Sequence, residues 1–223
     1  MKAKVAEIFK SIQGEGIYQG IEQVFVRFFG CNLNCKFCDT RLSFYRELTK
    51  EQILEEIESF KGNFHSLSLT GGEPLLQIDF LKEFLREIKK RDIILYLETN
   101  GTLYNEFKEI VDYIDIVAMD FKLPSSTGLD EFYLEHTEFL KSGLNKDIFV
   151  KIVITKSTQL SDIKRAVEIL LKFKKDIPLV LQPNYFEWDG VLKERIEYFR
   201  NFCLKDLSDV RVIPQLHKIL GVK

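Results

Sequence analysis

Apolar residues along this chain fall into short dense runs, separated by stretches in which they recur every three or four positions. The first clear run, 24–29 (Val-Phe-Val-Arg-Phe-Phe), is β-branched and aromatic and stops at Gly30, so it predicts a strand. Thr49-Lys50-Glu51-Gln52 has the form of a capping box, and Ile53, Ile57 and Phe60 follow at helical spacing. The alternation then repeats, with strands predicted at 66–70, 93–97, 114–119, 149–154, 179–182 and 210–213. Helices are predicted at 80–88, 104–111, 131–142, 161–174 and 189–203. Such repetition predicts an α/β fold on a mostly parallel sheet with right-handed crossovers, a partial (incomplete) β/α barrel. The units are too few for a complete eight-fold barrel.

The predicted strand ends carry the unusual residues. Thr70-Gly71-Gly72-Glu73-Pro74, Glu98-Thr99-Asn100-Gly101, Asp120-Phe121-Lys122-Leu123-Pro124 and Gln182-Pro183-Asn184 each follow a strand. Ligands bind at the C-terminal edge of parallel α/β sheets, so these segments are expected to converge with the chain after Gly30.

Composition mainly excludes. The 223 residues contain no Pro-, Gly- or Ser-rich linker, so residues 1–223 are expected to form one domain. The 32 basic and 34 acidic residues leave no field for gripping phosphate backbones, which argues against nucleic acid as a partner. Met1-Lys2-Ala3-Lys4 has no apolar stretch behind it, and no window reaches the roughly 18 uncharged apolar residues of a membrane span. A cytoplasmic protein with no membrane partner is therefore expected. Four cysteines, three of them clustered, do not resemble a disulfide framework. Cys203, alone in a predicted helix, reads as a buried inert thiol, and His65 and His136, without ligand spacing around them, read as loop or helix surface.

The chemistry begins at Cys31, Cys35 and Cys38, a C-x3-C-x2-C loop that offers three thiolates. A cubane cluster has four irons, so one stays open. Electron-carrier and zinc sites normally fill all four positions with protein ligands, which makes the open one a catalytic signature. Gly71-Gly72 lets the backbone approach a ligand closely, and the Glu73 carboxylate suits an ammonium group. S-adenosylmethionine presents both an amine and a carboxylate to such an iron.

With an aromatic residue, Phe37, before the last cysteine and Gly-Gly-Glu-Pro after a strand, the chain resembles the radical S-adenosylmethionine superfamily. The segments Glu7-Ile8-Phe9-Lys10-Ser11-Ile12-Gln13-Gly14-Glu15-Gly16, Cys38-Asp39-Thr40 and Pro214-Gln215-Leu216-His217-Lys218-Ile219-Leu220-Gly221, with Arg27, are similar to the 7-carboxy-7-deazaguanine synthase family over essentially the whole length. That resemblance implies a 4Fe-4S cluster on Cys31, Cys35 and Cys38, with S-adenosylmethionine held by Gly72 and Glu73 and lined by Phe37, Asp39, Lys122, Ser126 and Gln182. It implies Mg2+ on Thr40. The implied substrate is 6-carboxy-5,6,7,8-tetrahydropterin, bound by Ile12, Gln13 and Gly14, with Glu15, Thr70 and His217 nearby. Arg27 suits its carboxylate, because a guanidinium fork pairs with carboxylates bidentately. The family chain ends on a proline that reaches the substrate; here Lys223 stands at that end.

The implied reaction is a carbon–nitrogen lyase step of 7-deazapurine (queuosine-type) biosynthesis. The cofactor, reduced by one electron from flavodoxin or ferredoxin, starts hydrogen abstraction at the pterin C6, followed by ring contraction and loss of ammonia; a homodimer is implied as well. The cofactor and cluster carry the chemistry, with no further catalytic residue. Two rivals stand beside this reading. An activase that makes a glycyl radical on a partner protein shares the cysteine motif, but the Gln-Gly-Glu-Gly start and His-Lys end favour a small pterin. A non-catalytic zinc module would use the three cysteines and a histidine.

Overall fold

The computed structural model describes residues 1–40, 42–173 and 176–222. Its strands are β1 (Lys2–Ile12), β2 (Glu22–Phe28), β3 (Arg46–Thr49), β4 (Ser66–Gly71), β5 (Leu95–Thr99), β6 (Ile116–Asp120), β7 (Asp147–Ile154), β8 (Leu179–Pro183) and β9 (Val210–Val212). Its helices are α1 (Lys50–Ser59), α2 (Ile78–Lys89), α3 (Tyr104–Ile110), α4 (Pro124–Thr127), α5 (Tyr133–Gly143), α6 (Leu160–Leu171), α7 (Gly190–Cys203) and α8 (Leu216–Leu220). The strands form a single nine-stranded sheet in the order β3-β1-β2-β4-β5-β6-β7-β8-β9. From β2 to β9 every pairing is parallel, and β1 runs antiparallel between β2 and β3. Among the described residues β3 and β9 end the sheet and do not pair with each other, so the barrel is incomplete, as the strand–helix alternation predicts.

Two strands depart from the sequence expectation. β1 and β3 are rich in charge, and neither has the apolar density that marks the inner strands. In β1 Ala3 and Val5 point into the core while Lys2 and Lys4 stay exposed, and a bulge between Val5 and Glu7 breaks the alternation. The short, charged β3 protects the edge of the sheet from further pairing.

Each inner strand divides its side chains by parity. Leu67 and Leu69, Leu95 and Leu97, Val117 and Met119, and Leu179 and Leu181 are fully buried in the main core with the apolar stripes of the helices. On α2, for instance, Phe80, Leu81, Phe84, Leu85 and Ile88 make up that stripe. The alternate residues, among them Thr70, Glu98, Asp120, Lys151 and Gln182, line a cleft on the other face. A small aromatic cluster of Tyr96, Phe149 and Tyr18 fills the base of that face, below the strand ends. The fold thus separates an oily outer layer from a polar interior.

Helix packing around the sheet rests on a few large contacts. Phe107 on α3 stacks on Phe139 of α5, with ring centroids 4.1 Å apart and both side chains fully buried. Phe139→Ala is expected to lower the unfolding free energy by about 3–5 kcal/mol. A lower urea midpoint with an unchanged slope would register the loss.

Candidate active site

The cysteine loop begins where β2 ends. Gly30, with φ +98, turns the chain away from the sheet, and the second half of the loop is then held by two backbone bonds. The Lys36 amide donates to the Thr127 carbonyl at the end of α4 (2.9 Å), and the Cys38 amide donates to the Cys35 carbonyl (3.1 Å). All three sulfurs belong to free thiols, and all three residues line a cleft of about 490 Å³. Burial pushes the Cys31 thiol up and the Cys35 thiol up to about 11, with Lys122 pulling both the other way. Bare thiols of that kind are poor nucleophiles; a bound metal's charge is what would deprotonate them. The donor set, three soft sulfurs on one short loop, fits an iron–sulfur cluster.

Facing the loop is the turn after β4. A side chain on Gly72 would overlap the Gly30 carbonyl oxygen and come within 2.9 Å of Cys31 Cβ, so the turn and the loop touch backbone to backbone. Glu73 lies behind this turn. It is fully buried and does not line the cleft: its carboxylate accepts from the Leu75 amide (3.1 Å), the Asn100 amide (2.7 Å) and the Thr99 hydroxyl (2.9 Å). Burial pushes its carboxyl up to about 7 against the pull of those donors. In this structure Glu73 therefore braces the β4 and β5 turns against each other, where the motif suggested a direct contact to an ammonium group.

His136 also departs from expectation. It is fully buried on α5, where the Phe121 ring lies against it, tilted by 37° with centroids 4.1 Å apart. Its Nε2 lies 3.1 Å from the Asn100 carbonyl oxygen, and burial lowers its pKa to about 3, so the neutral ring donates to that carbonyl. The absence of ligand spacing around it suggested a surface, but the Asn100 loop it supports lies 36 positions away. Cys203 is fully buried, with its thiol pushed up to about 12, which matches an inert core position.

A chain of alternating charges crosses the cleft. Lys122 Nζ is 2.8 Å from Asp120 Oδ2, and Lys151 Nζ is 3.3 Å from the same oxygen and also bonded to Glu15. Gln215 Nε2 then donates to Glu15 (2.7 Å) and to Asp39 (3.3 Å), and Lys218 pairs with Asp39 at 3.0 Å. Burial opposes ionisation throughout, but the neighbouring charges win. Lys122 and Lys151 hold Asp120 below the usual carboxylate range, Lys151 does the same for Glu15, and Asp120 and Glu15 raise Lys151 well above an ordinary lysine.

Beneath it lies a second polar network. Glu98 accepts from Gln13 (2.9 Å), Ser68 (3.0 Å) and Thr70 (3.0 Å), and Gln13 Nε2 also reaches Gln23 at 3.0 Å. The far end of the chain closes one side of the cleft. The Leu216 amide donates to the Gly14 carbonyl (2.8 Å), and Gly14 has no room for a side chain because the His217 ring fills that space.

The cleft thus gathers Cys31, Cys35, Phe37, Cys38, Asp39, Thr40, Gly72, Lys122 and Gln182 with Ile12, Gln13, Gly14, Glu15, Arg27, Thr70 and His217. Ser126 is outside its lining, buried and bonded to the Thr158 hydroxyl at 2.8 Å, and Lys223 lies outside the described residues. Sequence reasoning assigned no role to Glu98, Asn100, Asp120 or Gln215, although it marked their segments. Lys151 it missed altogether. A lone lysine between Phe149-Val150 and Ile152-Val153 in a buried strand was the available signal.

Comparison with known proteins decides what such a cleft belongs to. Residues 25–138 match the Radical SAM superfamily. The chain is 33% identical to the 7-carboxy-7-deazaguanine synthase of Geobacter sulfurreducens, over 98% of this chain and 97% of the relative. It is 35% identical to the enzyme of the same name from Methanothermobacter thermautotrophicus, over 100% and 99%. This chain belongs to the 7-carboxy-7-deazaguanine synthase family. As a member it is a radical S-adenosylmethionine enzyme, a carbon–nitrogen lyase of deazapurine biosynthesis with a 4Fe-4S cluster and S-adenosylmethionine as cofactors. Its small-molecule substrate and one-electron reductant follow from that superfamily. The fold agrees: QueE from Escherichia coli superposes with a TM-score of 0.68, covering 97% of this chain and 95% of that one at 20% identity. Among the described residues no helix is long and apolar enough to cross a membrane.

Proposed function

We propose that the whole chain, residues 1–223, acts as one catalytic domain that converts 6-carboxy-5,6,7,8-tetrahydropterin to 7-carboxy-7-deazaguanine with loss of ammonia. The observation that carries this reading is the meeting, in one cleft, of the three-thiol loop, the Gly71–Gly72 turn and a polar floor of Gln13, Thr70 and Glu98. The cluster and S-adenosylmethionine supply one-electron radical chemistry when bound.

Cys31, Cys35 and Cys38 hold the cluster, and the bare backbone at Gly72 admits the methionyl end of the cofactor. Phe37 and Lys122, whose ammonium sits 5.2 Å from the Phe37 ring centre, form a wall of that pocket with Asp39 and Gln182. Glu73 and Ser126 act from behind it, positioning the turn and α4. Arg27, over the Phe9 ring and 3.5 Å from Glu7, offers its guanidinium to the substrate carboxylate. The Ile12-Gln13-Gly14 segment, Glu15, Thr70 and His217 surround the pterin. Thr40 and Asp39 present neighbouring oxygens (3.4 Å apart), a hard donor set suited to Mg2+. The enzyme works as a cytoplasmic homodimer fed by flavodoxin or ferredoxin, without nucleic acid or membrane.

Anaerobic incubation of the reconstituted protein with reductant, S-adenosylmethionine, Mg2+ and the carboxypterin, followed by mass analysis, tests the reading. A product lighter than substrate by ammonia is expected, and Cys35→Ala is expected to lose iron and turnover together. An unchanged pterin beside intact cofactor cleavage would overturn the substrate. Full turnover in Cys35→Ala would overturn the ligand assignment.

A further inference from the structure

Asn100 lies at the tip of β5, 5% exposed, and every polar atom it carries has a partner. Its backbone amide donates to Glu73 Oε2 (2.7 Å), and its carbonyl accepts from His136 Nε2 (3.1 Å). Its side chain belongs to a closed ring of three residues. Asn100 Nδ2 donates to Asn32 Oδ1 (2.8 Å), Asn32 Nδ2 donates to Thr102 Oγ1 (2.8 Å), and Thr102 Oγ1 donates to Asn100 Oδ1 (2.6 Å), which also accepts from the Thr102 amide (3.0 Å).

This ring decides which way the carboxamide points. Oδ1 is claimed by two donors from Thr102, so a flipped amide would set N–H groups against N–H and O–H groups. Nδ2 must therefore face the cysteine loop, where one of its hydrogens goes to Asn32. The other is aimed at Cys31 Sγ, 3.9 Å away. The same sulfur accepts from the Leu33 amide at 3.4 Å. Cys31 thus sits under two N–H donors, one of them a side chain whose neighbours fix it on every side.

We propose that Asn100 tunes the reduction potential of the cluster by donating a hydrogen bond to the Cys31 thiolate; the proposal rests on the assignment of Cys31 as a cluster ligand. When one electron enters from the reductant, negative charge grows on the cluster and its thiolates. A donor fixed at a sulfur stabilises the reduced state more than the oxidised one and raises the potential. Asn32 and Thr102 are positioning residues for that donor. This arrangement joins the cysteine loop to the β5 turn, so the group that orients the loop also sets how readily it accepts an electron.

Potentiometric titration of the reconstituted enzyme, followed by the electron-paramagnetic-resonance signal of the reduced cluster, tests the proposal without reference to turnover. In Asn100→Leu the ratio of reduced to oxidised cluster at a fixed potential is expected to fall about tenfold, the equivalent of about 59 mV for a one-electron couple. An unchanged midpoint in a cluster-bearing Asn100→Leu protein would overturn the proposal. Should that variant hold no cluster, the unaltered enzyme grown with asparagine labelled with 15N in its side chain decides. A 15N coupling in the pulsed spectrum of the reduced cluster is expected, and its absence would overturn the proposal. If the unaltered protein assembles no cluster at all, it is the ligand assignment that fails.

Discussion

Gly72→Ala is expected to abolish cluster binding while leaving the sheet folded. The reason is contact between two backbones. A methyl group at this position would overlap the Gly30 carbonyl oxygen and press within 2.9 Å of Cys31 Cβ, and neither obstacle is a flexible side-chain end that can swing aside. Glu73, one residue on, is tied to Leu75, Thr99 and Asn100, so the β4 turn cannot retreat. The cysteine loop must yield. Overpacking of this kind costs about 1–3 kcal/mol, which a sheet of this size survives. The loop holding three ligands at fixed separations does not. Gly190→Ala is the control: a side chain there meets nothing within 4 Å, and it lies in the first turn of α7. That change is expected to be neutral or to stabilise by up to about 1 kcal/mol. Iron and sulfide per chain after anaerobic reconstitution, with circular dichroism to follow the fold, make the comparison. A full complement of iron in Gly72→Ala would show that the loop has room this structure denies it.

What could be read from the sequence follows from how locally each feature is encoded. Cys31, Cys35 and Cys38 lie within one loop, and Gly71-Gly72 within one turn, so a short window contains the whole signal. The inner strands are apolar enough to stand out, and the rule that ligands gather at the C-terminal edge of a parallel sheet brings their ends together. β1 was overlooked because its charges mask a half-buried strand, and the bonds that Glu73 accepts from Leu75, Thr99 and Asn100 leave no mark on a sequence. The same holds for Asn100, whose side-chain partners are Asn32 and Thr102. Lys151 meets Glu15 from 136 positions away, and Gln215 meets it from 200. Pairings over such separations are properties of the fold, invisible in any window.

Lys151→Met is expected to cost both stability and turnover, and the sign of its pH dependence identifies the cause. The Lys151 side chain is 14% exposed and stands between Glu15 and Asp120, which are 20% and 16% exposed. Methionine keeps the length of the stem and removes the charge. Asp120 retains Lys122 at 2.8 Å, but among the described residues Glu15 keeps the neutral Gln215 amide in place of a cation. Removing one partner of a buried ion pair destabilises by about 3–5 kcal/mol, because the other charge stays buried without compensation. Turnover is expected to fall about 100-fold as well, the effect of an ångström-scale displacement in the cleft that Glu15 lines. In the unaltered chain Glu15 and Asp120 sit below their ordinary values, so their contribution is complete above the usual carboxylate range and lost as pH falls through the folded values. In Lys151→Met, burial is no longer outweighed at Glu15, and its carboxyl rises above the ordinary value of 4.5. The folded variant then binds more protons than the unfolded one just above that pH, so its stability declines as pH rises. Glu73, with its carboxyl at about 7, lowers stability with rising pH in both proteins alike, so above pH 4.5 the urea midpoint of Lys151→Met is expected to fall more steeply than that of the unaltered protein. Parallel slopes would mean that Lys151 does not neutralise Glu15, and the chain of alternating charges across the cleft would lose its central link.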